Sequence, residues 1–366
     1  MSLVQVDAAA AAHAQGEWDA VIDARSPAEF ALDHLPGALN WPTLDDDERH
    51  VVGSLYKQVS PHEARKVGAA MAARRIAGHL DTLARDKPRE WRPLVYCWRG
   101  GQRSGSLATI LSAIGFRTGQ LAGGYRAFRE LVRAELEAQP LAFDFVVLCG
   151  RTGSGKTRLL QALAAQGAQV LDLEGLACHR GSILGAMPRQ PQPTQKRFDT
   201  LLWQALQGLD AARPVFVESE SARIGAVRVP AALLQRMRQH GLCVRVDTDD
   251  ATRHALLRDD YAELIATPEA LCELLDGLVE MRGGAAVQRW QAWARAGQWS
   301  ELITELMAQH YDPLYERSMQ KNFASLDISK SVALRGSDAA SLAQSAAQLL
   351  DQLKAAAAAG TQVGIT

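Results

Sequence analysis

Eight residues, Gly150-Arg151-Thr152-Gly153-Ser154-Gly155-Lys156-Thr157, constrain this chain more than any other stretch. They match the spacing G-x4-G-K-[ST], preceded by the apolar run Phe143–Cys149 and followed by a segment, Lys156 to Gln166, with the composition of a helix. In a strand–loop–helix turn the backbone N–H groups converge on one centre, which is the geometry that wraps a diphosphate. Gly150, Thr152, Gly153, Ser154 and Gly155 are therefore expected to form the cradle, Lys156 to neutralise the bound anion and Thr157 to offer a place for Mg²⁺. Diphosphate binding does not imply ATP hydrolysis, and no Asn-Lys-x-Asp segment for reading guanine is evident.

Downstream, Gln169 to Leu173, Pro214 to Val217 and Leu242 to Val246 read as further strands, and Ala251 to His310 and Asp338 to Ala359 as helical. Glu218 follows a strand end, where it serves either as an acidic metal or water partner or as a merely solvated carboxylate. His179 and Arg180 lie where a lid or substrate loop would fall, and contact with an anionic substrate and simple exposure are equally open. Gly360 to Thr366 reads as a disordered tail.

The first third also alternates strands and helices. Ala20–Asp23 and Pro93–Tyr96 read as strands, Ser104 to Ile114 and Tyr125 to Gln139 as helices, and Gln139-Pro140 as a boundary. Between strand and helix stands Cys97-Trp98-Arg99-Gly100-Gly101-Gln102-Arg103-Ser104. Such a loop is an anion cradle at a helix N-terminus, and Arg99 and Arg103 are expected to favour the Cys97 thiolate. Gly100 and Gly101 let the loop curl without Cβ clashes, and Ser104 opens the helix. A strand-end cysteine is ordinarily inert packing; the arginines and glycines around this one point to chemistry.

With this loop, Asp23-Ala24-Arg25-Ser26-Pro27-Ala28-Glu29-Phe30 and His34-Leu35-Pro36-Gly37-Ala38-Leu39-Asn40 resemble the signatures of the rhodanese family. That resemblance implies a persulfide or related chalcogen intermediate on Cys97. Taken alone, Asp23 and Arg25 read as a structural polar pair and His34 as a turn anchor. Cys97 to Arg103 is C-x5-R, one residue longer than the ordinary rhodanese loop and similar to that of rhodanese-fold phosphatases. A pocket sized for a tetrahedral phosphate would suit a phosphate-bearing chalcogen donor.

Composition narrows the classes. Formal net charge is −1, so RNA binding would need locally clustered basic residues. The five cysteines, Cys97, Cys149, Cys178, Cys243 and Cys272, form no CxxC pair, which argues against a disulfide framework or structural zinc and suits a reducing cytoplasm. No secretory signal and no membrane span are expected.

A rhodanese-like half followed by a P-loop half, with Val217-Glu218-Ser219-Glu220-Ser221 and His179-Arg180-Gly181-Ser182 in place, resembles the bacterial tRNA 2-selenouridine synthases. The expected fold is α/β: a rhodanese-like parallel-sheet domain over 1–138, then a P-loop NTPase-like α/β domain over 141–359 with a helical C-terminal part, and a tail at 360–366. The resemblance implies replacement of sulfur by selenium in wobble 2-thiouridine of tRNA, after S-geranylation. Geranyl diphosphate and selenophosphate would be co-substrates, with no bound organic cofactor. Cys97 would then serve selenium transfer and the P-loop the prenyl diphosphate, with ATP as the alternative ligand. Two rivals stay open: a C-x5-R phosphatase, and a P-loop kinase or ATPase with a degenerate rhodanese module. For tRNA phosphates the candidates are Arg126, Arg129 and Arg133, spaced to share a helix face, together with Arg223 and Arg228.

Overall fold

A computed structural model describes residues 3–13, 16–182, 184–187, 190–323 and 330–358. The expected tail at 360–366 lies outside the described residues. The chain divides into two compact units, one comprising Met1–Glu135 with Lys196–Gln204, the other Leu136–Gln195 with Ala205–Thr366.

The first unit holds β1 (Val4–Val6), β2 (Ala20–Asp23), β3 (Leu39–Asn40), β4 (Pro93–Tyr96) and β5 (Gly119–Leu121). They form one sheet in the order β1-β5-β4-β2-β3, with every pair parallel. β4 is the middle strand and is buried along its whole length, as a continuous apolar run requires when helices cover both faces. Ile22, Val95, Leu107, Leu111, Trp91 and Phe116 are among its core residues. Helices Asp46–Gln58 and Pro61–His79, which no motif announces, form a pair between β3 and β4.

Asp23 and Arg25 form a fully buried ion pair, with Arg25 Nη2 2.6 Å from Asp23 Oδ2 and the guanidinium 3.9 Å from the centre of the Tyr125 ring. His34 stacks on Phe30 and shares a 2.9 Å hydrogen bond between Nδ1 and the Phe30 carbonyl, as a turn anchor should. A second buried network centres on Asp33, which accepts from the Tyr125 hydroxyl at 2.8 Å and from Thr200 at 3.0 Å. Arg129 completes that network. It lies 3.5 Å from Asp33 and 2.6 Å from Asp199, and it donates to the Lys196 carbonyl.

The second unit contains β6 (Phe145–Cys149), β7 (Gln169–Leu171), β8 (Val215–Glu218), β9 (Arg223–Ile224), β10 (Val227–Arg228), β11 (Leu242–Thr248) and β12 (Lys330–Leu334). Five of them make a parallel sheet in the order β12-β11-β6-β8-β7, and β9 and β10 form a short antiparallel hairpin. β12 and the hairpin are additions to the expected strands, because exposed Ala333 turns the end of β12 into an apolar run without polar alternation and two-residue strands are too short to show a period. Leu159, Leu163, Val244, Val332 and Leu349 pack the sheet core. A separate helical core over 257–311 surrounds the fully buried Trp290.

Candidate functional site

Each unit presents one loop after its middle strand. In a parallel sheet the strand C-termini face one edge, where loops are free to carry chemistry.

In the first unit β4 runs into Cys97, and helix Gln102–Ile114 begins five residues later. Cys97 is buried, 3% exposed, and its Sγ accepts a hydrogen bond from Ser104 Oγ at 3.1 Å. Gln120 steadies the loop by donating to the Gly100 carbonyl and to Ser104 Oγ, both at 3.0 Å. Gly100 has φ +68°, and a Cβ there would meet the Leu121 carbonyl oxygen at 2.6 Å, so only glycine fits. The backbone N–H groups of Tyr125 and Arg126 donate to the carbonyls of Cys97 and Trp98, which braces the loop from behind. Gly101 and Arg99 are exposed. Arg103 is engaged elsewhere: its Nη1 lies 2.5 Å from Glu29 Oε2, and this partner holds the Glu29 carboxyl below the usual range against the opposing effect of burial. The expectation that both arginines lend their charge to the cysteine loop thus needs correction, since Glu29 compensates one of them.

In the second unit β6 leads into the phosphate loop and helix Lys156–Ala165. Gly153 and Gly155 adopt φ of +76° and +81°, and a Cβ on either would press into Leu257 or Leu334. Sequence reasoning missed the clamp behind this loop. Arg253 donates to the Thr152 carbonyl at 2.9 Å and pairs with Asp312 at 2.7 Å, while Arg151 reaches the same carboxylate at 3.3 Å. Thr248 Oγ1 donates to the Ser154 carbonyl at 2.8 Å. Lys156 folds back on its own loop, donating from Nζ to the Gly150 carbonyl at 2.9 Å. A cavity of about 430 Å³ opens over the loop, bordered by Lys156, Thr157, Glu174, Arg180, Glu218 and Tyr315.

Three carboxylates gather beside Thr157. Oxygens of Glu174, Glu218 and Glu220 lie within 4.8 Å of one another, and Thr157 Oγ1 donates to Glu174 at 3.4 Å. Glu218 is 3% exposed, and its Oε1 has no hydrogen-bond partner. Burial, reinforced by mutual repulsion, pushes Glu174 up to about 10 and Glu218 up to about 7; it also raises Glu220. Of these residues the sequence singled out only Glu218; Glu174 sits in a five-residue helix after β7 with no motif around it.

The remaining candidates separate. Arg180 borders the cavity and lies 5.4 Å from the centre of the Tyr261 ring. His179 does not join it. Only 7% exposed, with its titration lowered by burial, it packs under the β9–β10 turn, where a Cβ on Gly225 would meet its ring at 2.7 Å. Arg126, Arg133, Arg223 and Arg228 are exposed. Arg129, 5% exposed and bound to Asp33 and Asp199, is withdrawn from any RNA surface. At 100° per residue it sits about 60° round the helix from Arg126, whereas Arg133 returns to within about 20°.

This combination defines a class of protein: a rhodanese-like unit with a cysteine loop, joined in one chain to a P-loop unit with a carboxylate cluster. Residues 5–131 match the rhodanese-like domain family, and residues 143–273 match the tRNA 2-selenouridine synthase AAA domain. A tRNA 2-selenouridine synthase of Sulfurovum sp. is 32% identical over 343 residues, covering 82% of this chain and 89% of its own. One from Bordetella petrii is 34% identical over 334 residues, covering 82% and 87%. The chain belongs to the tRNA 2-selenouridine synthase family. Among the described residues, no helix is long and apolar enough to cross a membrane.

Proposed function

We propose that this chain converts 2-thiouridine at the wobble position of tRNA to 2-selenouridine through an S-geranylated intermediate. The observation that carries the reading is the pairing of a cysteine cradle and a diphosphate cradle in a chain that shares this family's sequence over more than four-fifths of its length. Geranyl diphosphate supplies the prenyl group: the thiouridine sulfur forms a bond to its first carbon, the C–O bond breaks, and diphosphate leaves with the electron pair. S-alkylation converts sulfur into a competent leaving group. Selenium from selenophosphate then bonds to C2 of the base as geranylthiol departs, and water releases phosphate from selenium.

In this assignment Gly150 to Thr157 bind the diphosphate, with Lys156 turning from the loop carbonyls to phosphate oxygens. Arg180, which borders the same cavity, would contact the same anion. The orphaned Glu218 oxygen and the crowded carboxylates fit a divalent cation such as Mg²⁺, which Thr157, Glu174, Glu218 and Glu220 would hold. When bound it would neutralise charge on the departing diphosphate. Cys97, with Ser104 donating to its sulfur, serves the selenium-transfer stage. Exposed Arg126, Arg133, Arg223 and Arg228 are the candidates for tRNA phosphate contacts.

Mass spectrometry of tRNA nucleosides from cells with and without the protein tests the reading. The 2-selenouridine nucleoside should be present only with the protein, and the S-geranyl nucleoside should accumulate when selenophosphate is withheld. An unchanged nucleoside profile would overturn it.

A further inference from the structure

The second unit contains a small apolar space of about 60 Å³ beside the phosphate loop. Its near wall is Thr152 of the loop together with Leu257, Tyr261 and Tyr311, and these four also border the phosphate cavity. Its far wall is apolar throughout, formed by Leu264, Leu271, Trp299, Leu302, Ile303 and Leu306 among others. Several of these belong to the helical core, so the wall is a packed surface. At the junction of the two spaces the Tyr311 hydroxyl is buried without a hydrogen-bond partner, in a side chain 9% exposed.

We infer that this chamber binds the hydrocarbon tail of the diphosphate substrate and sets its length; the inference rests on the prenyl-transfer reading above. Two observations favour a branched hydrocarbon tail over a nucleoside. The far wall carries no carboxylate, amide or hydroxyl side chain to read a base or ribose, and a buried polar ligand without partners there would be heavily penalised. The space is also small. A water takes about 30 Å³ of the liquid, so 60 Å³ admits only a few carbon-sized groups, the end of a short hydrocarbon chain and far less than a nucleoside. A ten-carbon diphosphate therefore places its first isoprene at the neck between Leu257, Tyr261 and Tyr311 and its second in the chamber. A fifteen-carbon chain overfills it, and a five-carbon chain leaves it empty. Tyr311, which lines both spaces, brings the one hydroxyl of the neck besides that of Tyr261.

Chain-length selectivity tests this. The full chain, 2-thiouridine tRNA and an equimolar mixture of dimethylallyl, geranyl and farnesyl diphosphates are combined, and the S-prenyl nucleosides are quantified. The wild-type protein should favour the ten-carbon donor. Enlarging the far wall with Ile303→Ala should raise the fifteen-to-ten-carbon product ratio about tenfold or more, as a pocket that discriminates by size does. Filling it with Leu264→Trp should shift preference toward the five-carbon donor. Binding of inorganic diphosphate, measured in parallel, should stay near the wild-type value in both variants and shows that the phosphate loop is intact. A wild-type protein that transfers no prenyl group would overturn the underlying reading and this inference with it. Wild-type prenylation with product ratios unmoved by either variant, at intact diphosphate binding, would overturn the chamber assignment alone.

Discussion

The cysteine loop and the phosphate loop share a frame and differ in how they treat charge. Each follows the middle strand of a five-stranded parallel sheet and feeds a helix. Around Cys97 the loop is held by neutral hydrogen bonds from Ser104 and Gln120, and the charge of Arg103 is compensated by Glu29. Around Lys156 three carboxylates are crowded into a buried corner opposite one ammonium group. The first arrangement satisfies its polar groups with neutral partners. In the second, burial and mutual repulsion disfavour ionisation of the carboxylates, which biases it toward a cation and an anion arriving together. The difference teaches that the proposed nucleophile sits in a neutral frame and the proposed diphosphate site in a crowd of charges.

The sharpest way to break this comparison is to remove the nucleophile. Cys97→Ala should abolish 2-selenouridine formation while S-geranylation continues near the wild-type rate. The two nucleosides are quantified separately. Loss of both in a folded protein would mean that the cysteine also serves the prenyl stage. Next in size is the clamp's cation. Lys156→Ala should weaken geranyl diphosphate binding by roughly 1.5–3 kcal/mol, about ten- to a hundred-fold, with a matching loss of prenylation. Equilibrium binding without nucleotide decides it, and an absolute requirement for ATP would reassign the loop.

The frame of both loops was legible in the sequence because glycine spacing and continuous apolar strands are local signals. What converges on the loops was not. Arg253 and Asp312 clamp the phosphate loop from 101 and 160 positions downstream of Thr152, and Glu174 approaches from a short helix outside any motif. Arg129 shows the limit within a single helix. Three arginines at helical spacing looked like one stripe, but tertiary packing took the middle one for Asp33 and Asp199. Helical periodicity gives an angle around the axis, and only the partner surface decides which side of that angle is wet.

The carboxylate cluster gives a smaller, pH-dependent effect. Glu218 and Glu174 titrate in the folded protein at about 7 and about 10, above the 4.5 of an exposed glutamate. From about pH 4.5 up to about 7 for Glu218 and about 10 for Glu174 the folded state therefore holds more protons than the unfolded state, and its stability falls as pH rises through that window. Mg²⁺ should oppose the fall, binding more tightly as pH rises past 7, because it competes with those protons. Thermal melts across this range with and without Mg²⁺ measure both. Glu218→Gln should flatten the pH dependence and abolish the Mg²⁺ effect; a Mg²⁺ response that persists in that variant would place the ion elsewhere.

The smallest expected effect concerns RNA, and it separates the two units. Arg126 and Arg133 are exposed in the first unit; Arg223 and Arg228 are exposed in the second, directly opposite each other on β9 and β10. Like charges facing across a hairpin repel, and a bound phosphate would relieve that repulsion. Among the described residues Arg126 forms an ion pair with exposed Glu130 alone, at 2.9 Å, a pair too weak to keep it from a phosphate. Arg126→Glu/Arg133→Glu should weaken all substrate tRNAs alike and lower the slope of log affinity against log salt by about two, one for each phosphate no longer neutralised. Arg129 must be left in place. Removing a buried partner strands Asp33 and costs about 3–5 kcal/mol of stability, which would mimic a binding defect. The matching variant Arg223→Glu/Arg228→Glu, titrated in parallel, tells which unit carries the backbone contacts. A change in one slope alone would assign the RNA to that unit, equal changes would assign it to both, and two unchanged slopes would remove all four arginines from the RNA surface.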